Sequence, residues 1–175
     1  MKTLICMAVF CATLSTAAVA ENDAFDVCTY DQTNLAESLY PHLVGNWSVS
    51  NGPGFATGPG GFYTTFGPEA GGNADFRMSG EDLSVLDWSG ETDSEFPVTF
   101  YYDAFEMPEG LEAVPLEDVL TTLGTECDDT TLPTISVDGG FWSANLIVAS
   151  PDFMYGSMTF VVSGLVGYRS ITMTR

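Results

Sequence analysis

The sequence has 175 residues, 45% of them hydrophobic, and sets 24 acidic residues against four Lys and Arg and a single His, for a formal net charge of −20. That excess leaves no basic footprint for nucleic acid, whose binding rests on neutralising phosphates with Lys and Arg, and it repels anionic lipid surfaces. Its simplest role is solubility.

The first segment, MKTLICMAVFCATLSTAAVA, carries Lys2, an apolar run from Leu4 to Leu14, and the small-x-small triplet Ala18-Val19-Ala20. This predicts a secretory signal over residues 1–20, cleaved after Ala20, and a secreted or periplasmic protein. The run is shorter than the roughly 20 apolar residues of a bilayer span, so no membrane span is expected after cleavage. Cys6 and Cys11 leave with this segment. Cys28 and Cys127 remain, and in an exported chain two cysteines are expected to form one disulfide. Acidic neighbours (Glu126, Asp128 and Asp129) raise a thiol pKa and argue against a reactive Cys127.

An N-terminal arm, residues 21–41, contains NLAESLY before Pro41 and predicts one short helix over Asn34–Tyr40. A single domain is expected over 42–175. LVGNWSVS alternates, with Leu43, Gly45, Trp47 and Val49 on one face, which is the signature of a half-buried strand. Asn51 to Gly61 is rich in Gly and Pro and reads as loop. Gly52-x-Gly54-x-x-x-Gly58 approaches a dinucleotide fingerprint, but a strand rather than a helix follows, so no helix N-terminus is there to hold a phosphate.

Alternation recurs at Phe62–Phe66, Ala74–Met78, Ser84–Trp88, Phe96–Asp103, Trp142–Val148, Ser157–Val162 and Arg169–Arg175. Short strands punctuated by Gly and Pro predict an all-β barrel, with a β-sandwich as the alternative. PLEDVLTTLG has Pro at its first turn and Gly at its end, and predicts a short helix over Pro115–Gly124 that covers one end or edge of the sheet.

Catalytic signatures are sparse. His42 has no nucleophile motif beside it, and one His with two paired Cys excludes a His-rich zinc site. Asp87, Glu91, Asp93 and Glu95 cluster in DWSGETDSE without EF-hand spacing. No cofactor and no metal are expected. Paired carboxylates for hydrolysis cannot be selected from so many acids. The aromatic residues carry more information. Trp47, Phe62, Phe66, Phe100, Trp142 and Phe160 fall on inferred inward faces, where they either pack the core or line a cavity for an apolar ligand, and they are the candidate ligand-binding residues.

Gly45-Asn46-Trp47 on the first strand, after a short helix and with Arg169 and Arg175 on the last strand, resembles the calycins: lipocalins, fatty-acid-binding proteins and avidins. The resemblance implies an antiparallel up-and-down barrel of about eight strands. It also implies that a late Arg packs across Trp47 to close one end, which makes Gly45, Trp47, Arg169 and Arg175 the structural set. It implies binding of a small apolar or amphipathic ligand. The alternatives are a ligand-free envelope protein acting through protein contacts, and a carboxylate-based enzyme. An outer-membrane barrel is the architectural rival.

Overall fold

A computed structural model describes Cys28, residues 35–86, Trp88, and residues 94–124 and 131–175. The predicted signal segment, Cys127 and most of the acidic run after Leu86 lie outside these residues, so the Cys28–Cys127 pairing and, Glu95 apart, the acidic cluster do too.

In chain order the elements are α1 (Leu35–Leu43), β1 (Gly45–Gly58), a 3-10 turn (Pro59–Gly61), β2 (Phe62–Phe66), β3 (Glu69–Ser79), β4 (Asp82–Leu86), β5 (Glu95–Ala104), α2 (Leu116–Thr122), β6 (Thr131–Asp138), β7 (Trp142–Ser150), β8 (Phe153–Val162) and β9 (Leu165–Thr174). Every pairing is antiparallel, and β1 pairs with β9 as well as with β2 and β3. The first half of β1 carries β3 on one edge, and its second half carries β2 on that same edge. The nine strands therefore fill eight positions of one closed up-and-down ring. A single hydrogen-bonded sheet closed on itself excludes the sandwich. It also removes the two unpaired edges that an open sheet would expose.

The inner face is the main core. Trp47, Val49, Phe76, Val85, Ile135, Val137, Leu146, Met154, Ile171 and Met173 are buried there. A second apolar cluster lies outside the ring. Val119 and Leu120 of α2 cover Leu132, Ile147, Ala149 and Tyr155, and Cys28 packs against the same cluster. The outer face of β6, β7 and β8 is thus covered as well as the inner one.

That double burial explains two departures from the sequence reading. β6 was not expected, and β8 begins at Phe153 rather than at Ser157. Leu132, Thr134, Ile135 and Val137 are all buried, as are Met154 and Tyr155. Strands buried on both faces lose their polar alternation. Pro133, which lies inside β6 opposite Tyr102, removes a ladder donor and further obscures the pattern.

The larger correction concerns Asn51–Gly61, which is mostly strand. β1 continues to Gly58, and only Pro59–Gly61 turns. The glycines serve close approach. A Cβ at Gly52 would overlap Ser170 Oγ, one at Gly54 would overlap the Phe66 ring and the Tyr168 carbonyl, and one at Gly58 would overlap the Leu165 side chain. A register shift between Asn51 and Gly54 re-aims β1 against β9 at this point, as a bulge does.

α1 also runs further than expected, across the anticipated domain boundary at Pro41 to Leu43. Pro41 and Glu37 both lie on its exposed face, so the carbonyl that loses its donor faces solvent, which lowers the usual cost of a helical Pro. Leu35, Leu39 and Leu43 are buried in the core. α1 therefore lies against the ring at the end where β1 starts and β9 finishes.

Candidate functional site: the open mouth of the ring

The two ends of the ring differ. At the end where α1 sits, Trp47 is 1% exposed and its Nε1 donates to the Leu43 carbonyl at 2.8 Å. The Arg175 guanidinium lies 4.5 Å over the Trp47 ring. Its Nη1 donates to the Val44 carbonyl at 3.1 Å, its Nη2 to the His42 carbonyl at 2.5 Å, and its Nε to the Pro151 carbonyl at 3.0 Å. One side chain thus satisfies carbonyls of the helix end, the helix–strand link and the β7–β8 turn. The Arg175 charge and burial together push the His42 imidazole below its usual pKa, burial being the larger cause. Gly45 has φ of +127°. A Cβ there would stand 3.6 Å from Arg175 Nη1, an ordinary contact. Backbone conformation, not blocked packing, is what requires glycine here.

The opposite end is where β1, β2, β8 and β9 extend. A cavity of about 270 Å³ opens there, bordered by Asn51, Trp88, Phe141, Trp142, Met158 and Phe160, with Val162 at its rim. Trp88 packs on Trp142 at 5.0 Å between ring centroids, and Phe96 meets Trp142 edge-on at the same distance. Among the described residues, Trp88 Nε1 and Asn51 Oδ1 are buried with no hydrogen-bond partner. An orphaned buried group costs about 1–3 kcal/mol, so a donor and an acceptor left unmatched beside one cavity are notable. Among the described residues, no Lys, Arg, His, Asp or Glu borders the cavity.

Arg169 stands beside this mouth. It is 7% exposed, pairs with the exposed Glu69 carboxylate, and donates to the Gly52 carbonyl at 3.2 Å and the Gly67 carbonyl at 3.4 Å. Its guanidinium lies 5.2 Å over the Phe66 ring, and Phe66 packs on Phe160 at 5.8 Å. Arg169 thus fastens the β1 irregularity to the break between β2 and β3.

The structure divides the predicted aromatic set. Trp142 and Phe160 border the mouth cavity, and Phe66 lies behind Phe160. Trp47 belongs to the closed end and does not reach the cavity. Phe100 packs edge-on against Tyr40 of α1 at 5.3 Å. Phe62 is 45% exposed beyond the rim. Asn51 and Trp88 were missed. Asn51 continues the parity of Trp47 and Val49, so a polar residue on the inward face was the available signal. Its neighbours Gly52 and Pro53 hid it by reading as a turn. Trp88 falls at the end of the expected strand Ser84–Trp88, whereas β4 stops at Leu86.

The chain matches no protein-family model, no curated protein and no solved structure. Among the described residues, no helix is long and apolar enough to cross a membrane, which says nothing of crossing by strands.

Proposed function

We propose that this protein is an exported, calycin-like barrel that binds a small uncharged amphipathic molecule in the mouth cavity. The observation that carries this reading is the pair of orphaned atoms. Trp88 Nε1 offers a donor and Asn51 Oδ1 an acceptor, beside apolar walls supplied by Trp142, Met158 and Phe160. A ligand with one acceptor and one donor on an apolar body would recover both hydrogen bonds and cover the walls. The volume of about 270 Å³ lies just under the roughly 300–1,000 Å³ of sites for drug-sized ligands, which favours a small molecule. The calycin likeness is supported by the ring closure and by Arg175 stacked over Trp47. Export rests on the signal-like first segment.

The test is twofold. Native mass spectrometry of protein purified from its own source should show a retained neutral molecule. Benzamide, which carries an amide on an apolar ring, should shift the Trp88 indole N–H resonance saturably, and Asn51→Ala should weaken that binding about tenfold. No retained mass together with no saturable shift at millimolar benzamide would remove the reading. A second reading, docking of a protein on the rim, draws on the exposed Phe62, Phe141, Val161 and Val162. Loss of a co-purifying protein on Phe141→Ser, with benzamide binding intact, would favour it.

A further inference from the structure

The β1–β2 hairpin presents a strand edge. Among the described residues, β2 pairs with β1 alone. Successive residues of an antiparallel strand turn their N–H and C=O groups to opposite sides, so about half of those of β2 face away from β1. Phe62 is 45% and Tyr63 61% exposed, and Thr64 and Thr65 are exposed too. Proteins blunt such edges with charges, prolines or bulges. The sequence FYTTF has no charge and no proline, and it pairs with β1 without a register shift. Its residues are aromatic and β-branched, the types that favour strand pairing.

We propose that β2 pairs with β2 of a second copy of this chain, antiparallel about a twofold axis at Thr64. Two observations favour this occupant. The first is charge. The chain carries 24 acidic residues and a net charge of −20, yet residues 51–67 contain no Asp, Glu, Lys, Arg or His. Two copies repel one another wherever acidic faces meet, and this hairpin offers a contact without that repulsion. The second is the order of residues. A pairing centred on Thr64 sets Phe62 opposite Phe66, Tyr63 opposite Thr65, and Thr64 opposite its own copy. Aromatic–aromatic, aromatic–β-branched and Thr–Thr pairs are all favourable across strands. A twofold contact requires a self-complementary patch, and this strand is one. An edge of five residues is small beside the ~1,200–2,000 Å² of stable interfaces, so the dimer is weak and reversible.

The experiment is sedimentation equilibrium of the full mature chain. It should be monomeric at about 10 µM and largely dimeric at about 1 mM, as a small interface implies. Raising sodium chloride should strengthen the dimer, because salt screens the acid–acid repulsion. Thr64→Lys sets like charges opposite each other and should weaken the dimer at least tenfold, with the melting temperature of the dilute monomer unchanged. That variant also lowers the net negative charge, so association governed by overall charge would strengthen instead. Thr64→Val should keep the dimer. Thr64→Cys should yield a disulfide-linked dimer under mild oxidation, since antiparallel partners hold their Cα atoms about 4.5–5.5 Å apart, within disulfide reach. Ser79→Cys, exposed at the far end of β3, should not. The β2 amides that exchange fast in the dilute sample should slow in the concentrated one. If all of them are slow in the dilute sample, the chain itself covers the edge. If the concentrated sample stays monomeric, the edge is left to an extended segment of another protein. Either result overturns the proposal, as does a Thr64→Lys dimer of undiminished strength. Thr64 does not border the mouth cavity, so failure here leaves the benzamide test untouched, and Phe141→Ser should leave the dimer intact.

Discussion

Arg169 within β9 and Arg175, the residue just after it, serve one end of the ring each, and they do different work. Arg175 stacks on Trp47 and donates to carbonyls from three connections. Arg169 stacks on Phe66 and joins Glu69 to two glycine carbonyls, but its Nε stays without a partner among the described residues, as do Trp88 Nε1 and Asn51 Oδ1 nearby. Among the described residues, the buried side-chain atoms without a partner are these three, all near the mouth and none at the end capped by α1. Buried polar groups in folded proteins are paired as a rule, and the exceptions concentrate where something else is to be met. The contrast separates the part of the molecule that stabilises the ring from the part proposed above as the ligand site.

The contrast can be broken most directly at Trp47. Trp47→Ala empties the middle of the closed end and should cost about 3–5 kcal/mol, as large-to-small core changes do, measured by urea unfolding. A loss below 1 kcal/mol would mean that this end does not carry the stability assigned to it. Arg175→Ala should cost less, about 1.5–3 kcal/mol, the range for hydrogen bonds to a charged group. Arg175→Lys should recover only part of that, because an ammonium cannot reach several carbonyls and stack on the ring at once.

Trp88→Phe sharpens the comparison from the other side. It removes an orphaned donor while keeping an aromatic ring against Trp142, so stability should change by less than about 1 kcal/mol. A large loss would show that Trp88 Nε1 has a partner in the native protein and would weaken the case for the mouth.

The smallest effect concerns His42. Burial, and after it the Arg175 charge, lower its pKa in the folded state. Between that lowered value and about 6.5 in the unfolded chain, the unfolded state binds the extra proton. The contribution of His42 to stability is therefore fully present above about pH 6.5 and is lost as pH falls through the folded value. The difference in unfolding free energy between the wild type and His42→Gln should move against the wild type from pH 7.5 to pH 5. A difference that is flat with pH, or that moves the other way, would separate His42 from the Arg175 cap.

Where one face of a strand meets water, alternation carried the reading far. The spacing puts Trp47 and Val49 on one face, and both are buried, whereas Phe62, placed inward by the same rule, is 45% exposed. Where both faces are covered the pattern fell silent. β6 was lost because α2 hides Leu132 on its outer side while Ile135 faces the core. The glycines of β1 misled for a related reason. Gly52 and Gly54 look like turn residues locally, yet they are small because Ser170, Phe66 and Tyr168 crowd them from neighbouring strands, and nothing within ten residues of sequence signals that crowding.

By itself, then, the sequence determined the all-β class, the positions of most strands and the acidic surface, because those depend on local periodicity and on charge, while closure into a ring rests on the β1–β9 pairing. Only the tertiary structure decided which end is sealed, which arginine reaches Trp47, and that Asn51, Trp88 and Trp142 meet at one opening. These depend on register between strands far apart in the chain, where a shift of a single residue turns every side chain to the opposite face.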